Sequence, residues 1–223
     1  MWWYRGLRAL VVQELTRTVR SAGPVLDAGC STGGMLAQLG PDALGLEHDE
    51  TAASLARDKA ERPVACGSVN EMPFGGGVLA AYVSLDVLCH GAVEPQASLK
   101  EARRCLQPGG VAVFNLPAYG WMLSAHDRRV HNVRRFTRGQ ARQLLEGYGF
   151  RIERARYWNW GLFPLMVLHR LTRRADAASD VHDFPAWLDA LFQGVLTIER
   201  LMIRIGFSLP YGGSILIVAR RHD

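Results

Sequence analysis

Short apolar segments alternate with helical patterns through the first half of the chain. Continuous apolar runs predict strands at residues 24–28, 43–47, 63–66, 78–84 and 111–114. The segments between them predict helices: one that starts within residues 33–39, one capped by Asp49 or Thr51, and one with Leu99, Ala102, Cys105 and Leu106 on its apolar face. Pro108-Gly109-Gly110 is predicted to end the third of these helices before the next strand.

The second half has longer helical stretches. Residues 137–148 predict a helix, 150–152 begin a strand, 158–209 are helical with a break at 180–185, and 214–219 form the last strand. Strands that are apolar throughout and separated by helices predict a mostly parallel sheet covered on both faces. With right-handed crossovers this is a doubly wound α/β fold, whose ligands bind beyond the carboxyl ends of the strands.

Composition is consistent with one domain over residues 1–223, with 158–209 as a helical cap or insertion within it. The chain has 223 residues, 48% hydrophobic and 21% charged, which is enough apolar material for a sizeable core. No secretory signal opens it, and the longest apolar stretch, 158–168, is shorter than the roughly 18–20 residues that span a bilayer. These features predict a cytoplasmic protein.

Cysteine spacing and net charge limit the kinds of site and partner that the chain can have. The four cysteines lie far apart with no C-x-x-C pair, which argues against a disulfide framework or a metal site. We expect three of them to be buried and one to lie in a loop. The formal net charge of +5 allows nucleic acid, an anionic membrane or acidic substrates as partners, although arginine-rich solvated helix faces are commoner.

A glycine-rich turn follows the first predicted strand. The segment 25–34 reads Val-Leu-Asp-Ala-Gly-Cys-Ser-Thr-Gly-Gly, so it lacks the G-x-G-x-x-G of a pyrophosphate-binding loop. Asp27 precedes the first glycine, where its charge would repel a pyrophosphate but suit a cationic amino acid group. Glu47 follows twenty residues later, at the end of the second strand, where a carboxylate can accept both ribose hydroxyls. The implied ligand has a ribose and a positive charge but no phosphate, and S-adenosylmethionine fits these requirements.

Five motifs in order resemble those of the class I S-adenosylmethionine-dependent methyltransferases. They are Asp27-x-Gly29-Cys30-x-Thr32-Gly33, Gly45-Leu46-Glu47, the segments 67–74 and 84–90, and Leu106-Gln107-Pro108-Gly109-Gly110. The resemblance covers roughly residues 20–120 and implies a seven-stranded Rossmann-like sheet with a helical insertion before the last strand. The segments 2–5, 124–131, 134–137 and 208–214 resemble those of an uncharacterised bacterial subgroup of that family.

The resemblance also implies the residues that hold the cofactor. Asp27, Gly29 and Gly33 would shape the methionine pocket, and Leu85 would line it. Glu47 would hold the ribose, and Ser68 and Val69 would flank the adenine. Cys30 and His48 complete the set of cofactor-binding residues. Ser31 stands where a second glycine is usual and Ser68 where an aspartate is usual. Each departure removes at most one hydrogen bond, worth about 0.5–1.5 kcal/mol net.

Catalytic groups are weakly encoded, because methyl transfer from a sulfonium needs a general base only for a hydroxyl or a protonated amine. His126 and His131 follow the fifth strand on the ligand-facing edge and are our candidates for that base. The alternative is that each histidine holds a loop in place. Trp2, Trp3 and Tyr4 predict either a lid or an anchor for a terminal helix.

The leading hypothesis is a methyltransferase acting on an O or N atom of a small lipophilic or aromatic molecule. The alternatives are a nucleic-acid methyltransferase and a non-catalytic protein that keeps the S-adenosylmethionine-binding fold for binding or scaffolding. Against nucleic acid, residues 84–87 lack the Pro-Pro-aromatic sequence of amino-directed base methylases. The apolar helices of 158–209 are typical of a substrate cap, a homodimer surface or a membrane-surface contact involving Arg170, Arg173 and Arg174.

Overall fold

A seven-stranded sheet forms the centre of the molecule. The computed structural model describes residues 1–172 and 185–222. Its strands are β1 (Val25–Ala28), β2 (Ala43–Glu47), β3 (Val64–Cys66), β4 (Leu79–Leu85), β5 (Leu106–Pro117), β6 (Phe150–Trp158) and β7 (Ser214–Arg221). The strand order is β3-β2-β1-β4-β5-β7-β6, and β7 alone runs antiparallel to its neighbours. The predicted doubly wound, mostly parallel fold is confirmed.

Helices cover both faces of the sheet. In the described residues they are α1 (Trp2–Thr18), α2 (Glu50–Ala60), α3 (Pro95–Cys105), α4 (Ala125–Arg129), α5 (Arg138–Gly147), α6 (Phe163–Thr172) and α7 (Ala186–Arg204). Local sequence sets several of their ends. The Asp49 side chain accepts from Ala52 N at 2.7 Å to cap α2, and Pro95 opens α3.

Alternate residues of the central strands enter two separate cores. On β4, Tyr82 packs into one apolar cluster, whereas Ala81 and Val83 belong to the cluster on the other face. This two-sided burial explains why β4 is apolar along most of its length instead of alternating. The strand order reverses between β1 and β4, so the carboxyl ends of these two strands flank the crevice where ligands of such sheets bind.

Three local expectations from the sequence are corrected by the structure. Residues 33–39 contain only a short 3₁₀ turn, Leu36–Gln38, and Gly33, with a φ of +76°, cannot be part of a right-handed helix. Leu106 begins β5 instead of belonging to α3, and Pro108-Gly109-Gly110 lies at an irregularity of that strand. The strand predicted to begin at 150–152 is present and continues to Trp158, so the helical stretch expected from residue 158 begins at Phe163.

The N-terminal aromatic residues anchor α1 instead of forming a lid. Trp3 stacks on Trp158 with ring centroids 5.9 Å apart, and Trp2 meets the edge of the Phe192 ring at 5.3 Å. The backbone N–H of Trp2 also donates to the Asp189 side chain at 2.9 Å. These contacts join the start of α1 to α7 and to the end of β6.

Three cysteines are buried, as expected, whereas the fourth, Cys66, is exposed at the end of β3 and not in a loop. Burial raises the pKa of the Cys30 thiol to about 12, with the nearby charges of Asp27 and Glu47 acting in the same direction. Cys30 therefore stays a neutral thiol at physiological pH and acts as a small apolar residue in the core.

The helical insertion before the last strand is present as α6 and α7. The predicted break at 180–185 lies outside the described residues except for Pro185, as do Arg173 and Arg174. The inner face of α7 buries Leu196, Glu199 and Ile203. The described part of the chain contains no helix with the length and apolar character needed to cross a membrane.

Candidate functional site

A glycine turn carries the chain from β1 over the end of β2. The backbone N–H groups of Gly29 and Cys30 both donate to the carbonyl of Leu46, at 2.8 and 3.0 Å. Gly29 and Gly33 have φ values of +75° and +76°. An added Cβ would lie 2.6 Å from a Val87 methyl at Gly29, and 2.8 Å from the Ala56 carbonyl oxygen at Gly33. The backbone therefore requires glycine at both positions. Ser31 adopts a φ of +47° between them, a conformation in which a glycine would be less strained.

Asp27 is the last but one residue of β1 and only 2% exposed. Its Oδ2 atom has no hydrogen-bond partner in the described structure. Burial raises the pKa of this carboxyl to about 7, a backbone hydrogen bond at Leu36 lowers it, and the charge of Glu47 raises it. Such a group is stabilised as a carboxylate by a nearby cation.

Glu47 ends β2 and is also buried. Its Oε2 atom accepts from Ser31 N at 2.8 Å, and Oε1 accepts from His48 N at 2.9 Å and Asp49 N at 3.2 Å. The His48 ring lies alongside, with Nδ1 2.8 Å from Oε1. The carboxylate thus binds the glycine turn and the β2–α2 turn together, at the place expected for a ribose-binding acid.

The expected adenine segment lies beside Glu47. Gly67 N donates to the Glu47 carbonyl at 2.9 Å, which places the following Ser68 and Val69 close to Glu47. Ser68 is exposed and accepts from Asn70 N at 3.1 Å, whereas Val69 is buried. The Asn70 side chain links this segment to residues 92–94 through bonds to Ala92 O and Glu94 N at 3.1 and 2.9 Å.

A polar network that we did not predict lies at the ends of β4 and β5. Leu85 is half-buried, and next to it Asp86 adopts a φ of +57°. The Asn115 amide donates to Asp86 Oδ1 at 2.9 Å and accepts from Trp158 Nε1 at 2.7 Å. Burial raises the pKa of Asp86 to about 7, and the hydrogen bond from Asn115 opposes this. Asp86 is thus a further titratable group at the sheet edge.

Two signals in the sequence could have indicated this network. Asp86 directly follows the fourth strand, where the ligand crevice opens. Asn115 is the single polar residue in the apolar run 111–118, and a buried amide in such a run requires specific partners.

The two candidate bases occupy different places. His126 lies in α4, half-buried, and its Nδ1 atom is buried without a partner in the described structure. His131 is exposed after α4, with its ring 5.8 Å from that of His90, which in turn lies 6.3 Å from His48. His48, His90 and His131 therefore form a row of rings leading away from Glu47, and His126 is not in it.

The residues at this edge fit S-adenosylmethionine. A buried carboxylate oxygen without a partner, a turn whose glycines admit close backbone approach, and a second carboxylate at the ribose position are the features that such a ligand requires. Among the described residues no group of three or more His, Cys, Asp or Glu side chains could hold a metal ion.

Comparison with known proteins agrees with this geometry. Residues 26–114 match the family model described as a methyltransferase domain. An uncharacterized protein of Methanocaldococcus jannaschii, MJ1252, is 23% identical over 155 residues, which are 66% of this chain and 61% of that relative. The chain therefore spans less than two thirds of the curated relative it matches.

Solved structures share the fold over almost the whole chain. A methyltransferase of Thermotoga maritima, described as a possible histamine N-methyltransferase, has a TM-score of 0.62 at 17% identity, covering 98% of this chain and 90% of its own. Geranyl diphosphate C-methyltransferase of Streptomyces coelicolor has a TM-score of 0.62 at 15% identity, and the match covers 96% of this chain and 77% of that enzyme. The [4+2]-cyclase SpnF has a TM-score of 0.63 at 18% identity, and the match covers 96% of this chain and 81% of SpnF.

The family match lies on β1 to β5, the part of the chain that carries the glycine turn and both carboxylates. The structural matches extend the fold to the flanking helices and to β6 and β7. The resemblance predicted from the motifs is confirmed: residues 26–114 match the model of a methyltransferase domain, and the chain shares the Rossmann-like fold of solved S-adenosylmethionine-dependent methyltransferases.

Proposed function

We propose that the chain is an S-adenosylmethionine-dependent methyltransferase that modifies an O or N atom of a small lipophilic or aromatic molecule. The observation that carries the proposal is the pair of buried carboxylates, Asp27 and Glu47, on either side of a glycine turn with no pyrophosphate fingerprint. Asp27 would face the cationic part of the cofactor, and Glu47 would accept the ribose hydroxyls.

Bound S-adenosylmethionine supplies an electrophilic methyl group together with its own leaving group. The protein then has to hold the acceptor, exclude water and accept a proton where the acceptor atom carries one. Of the two candidate bases, His131 lines a cavity beside the cofactor edge together with His90, whereas His126 does not line it. We therefore place His131 in the role of base.

The insertion also has a proposed role as an interface. Four exposed residues lie on the outer face of α7 at helical spacing, and exposed Ile205 follows directly after the helix; the four are Trp187, Leu191, Ile198 and Leu201. A helix that is apolar on both faces requires a partner on its outer side.

We propose that this partner is a second copy of the chain, paired antiparallel about Gly194. An added Cβ at Gly194 would meet nothing within 4 Å in the chain itself, so the monomer does not require the glycine. Trp187 and Leu201 lie seven residues to either side of Gly194, so a two-fold axis there would place Trp187 of one copy against Leu201 of the other.

Replacing Glu47 by alanine should weaken S-adenosylmethionine binding by about 1–3 kcal/mol, because charged hydrogen bonds to the ribose are lost. Isothermal titration calorimetry measures this, with Glu50→Ala, an exposed position at the start of α2, as the control. Parent-like affinity in a folded Glu47→Ala protein would remove the ribose assignment. Failure of the parent to bind the cofactor would favour a non-catalytic role.

Cofactor affinity should rise with pH between about 6 and 8. Asp27 has a pKa raised to about 7 in the free protein, and a cation beside it favours the ionised form, so binding below pH 7 must expel a proton. We expect about tenfold weaker binding at pH 6 than at pH 8. In Asp27→Asn this dependence should vanish, while Asp58→Asn, an exposed position on α2, should retain it. An unchanged slope in Asp27→Asn would contradict the assignment.

Substituting His131 by alanine should lower kcat by roughly 10²–10⁴-fold if the acceptor atom carries a proton. Cofactor affinity should not change, because His131 is outside the adenosine motifs. Single-turnover methyl transfer by His131→Ala, His126→Ala and the double variant separates the two candidates. Parent rates in all three would show that catalysis is by positioning alone and that both histidines are structural.

The double variant Leu191→Lys, Ile198→Lys should be monomeric and about as stable as the parent, because both side chains are exposed. The parent should have the mass of a dimer in light scattering coupled to size-exclusion chromatography. Leu196→Lys, on the buried side of the same helix, should instead unfold the protein. If the parent is monomeric and sediments with anionic vesicles, the partner of this helix face is a membrane surface and not a second copy.

A further inference from the structure

A cavity opens beside the row of histidines, on the side away from Glu47. Its volume is about 410 Å³, and it lies between the turn after β4 and the segment that follows β5. His90 and His131 line it, and the His48 ring lies between His90 and the Glu47 carboxylate. The cavity is thus separated from the predicted ribose position by two imidazole rings.

The cavity is lined by basic groups without an acidic one. Arg128, His90 and His131 contribute to the lining, and no Asp or Glu side chain does. In the described part of the chain Arg128 has no carboxylate within ion-pair distance. The nearby Asp127 does not neutralise the cavity, because it is buried in a two-pronged pair with Arg135, with Nη2–Oδ1 at 2.9 Å.

A further positive charge lies beneath the cavity. Arg134 donates through Nη1 to the carbonyls of His90 and Val93, at 2.8 and 3.0 Å, and forms no ion pair with a described residue. Uncompensated cations around a partly apolar pocket favour an anion over a neutral ligand.

His90 faces the cavity as a hydrogen-bond donor. Its Nδ1 atom accepts from Ala92 N at 3.2 Å, so the neutral ring carries its proton on Nε2. Burial lowers the pKa of His90, and the neighbouring His131 and His48 lower it further, which keeps the ring neutral at physiological pH. A neutral imidazole with a free N–H can donate to an oxyanion without being a base.

The remaining walls are apolar. Leu123 and Val133 line the cavity and are 39% and 55% exposed, and Trp121 and Val130 on the same segment are exposed as well. Four exposed apolar side chains within thirteen residues, next to basic groups, form a surface suited to an amphipathic ligand.

We propose that this cavity binds a methyl acceptor that has both an anionic group, a carboxylate or a phosphate, and an apolar body. Arg128 pairs with the anion, His90 donates to it, and Leu123 and Val133 contact the apolar part. The proposal rests on the methyltransferase function and specifies the acceptor class of the same site.

The test is calorimetric binding of short amphiphiles to the cofactor-saturated protein. Octanoate, octyl phosphate and octan-1-ol share the apolar chain and differ in the head group, and acetate and inorganic phosphate supply the head groups alone. We expect at least one charged amphiphile to bind ten times or more tightly than the alcohol, and its identity separates a carboxylate from a phosphate acceptor. The head groups alone should bind more weakly than their amphiphiles.

Arg128→Gln should reduce binding of the charged amphiphile to the level of the alcohol. Arg129→Gln, the next residue of α4, does not line the cavity and should bind as the parent does. Val133→Asp should weaken binding of both charged amphiphiles. Equal affinity for the alcohol and the anions, or equal losses in Arg128→Gln and Arg129→Gln, would overturn the proposal.

Titration of the same samples with S-adenosylmethionine keeps the two conclusions apart. A protein that binds the cofactor but not the charged amphiphiles loses only the acceptor assignment. A protein that does not bind the cofactor loses the methyltransferase function, whatever the amphiphiles do.

Discussion

The hydrogen bonds of the Glu47 carboxylate determine the shape of the whole ligand edge. One oxygen holds the backbone of Ser31 and the other holds the backbone of His48, so a single side chain joins the turn after β1 to the turn after β2. Because Glu47 is buried, its charge must be met by these N–H groups in the ligand-free protein. The ribose hydroxyls would have to share or replace some of these bonds, which couples cofactor binding to the conformation of the glycine turn.

Three further carboxyl groups show how burial without an ion pair raises the pKa of a carboxyl. Asp27, Asp86 and Glu199 each have a pKa raised to about 7, and burial is the largest cause in every case. Asp127 is buried as well, but the charge of Arg135 keeps its pKa low. The contrast indicates that Asp27 and Asp86, at the sheet edge and without an ion pair, are suited to respond to a ligand, whereas Asp127 serves to hold the α4 segment in place.

The order of the elements could be predicted because it depends on local patterns. Apolar runs, helix caps and the acid-glycine turn are each encoded within about ten residues, and the structure places them as expected. Asn115 bonds to Asp86, 29 residues away along the chain, and to Trp158, 43 residues away. No local pattern could show that these two residues meet at Asn115. The pairing of His131 with His90 has the same origin, since only the return of the chain after β5 brings them together. The helix expected to begin within residues 33–39 is absent: Gly33 has a positive φ that no local apolar pattern reveals, and only the turn Leu36–Gln38 follows it.

The Asn115 amide has consequences for how the sequence can change. Both ends of the amide are used, one by the Asp86 carboxylate and one by the Trp158 indole. An exchange at any of the three positions leaves a polar atom buried without a partner, at a cost of about 1–3 kcal/mol. We therefore expect the three positions, although far apart along the chain, to change together in evolution.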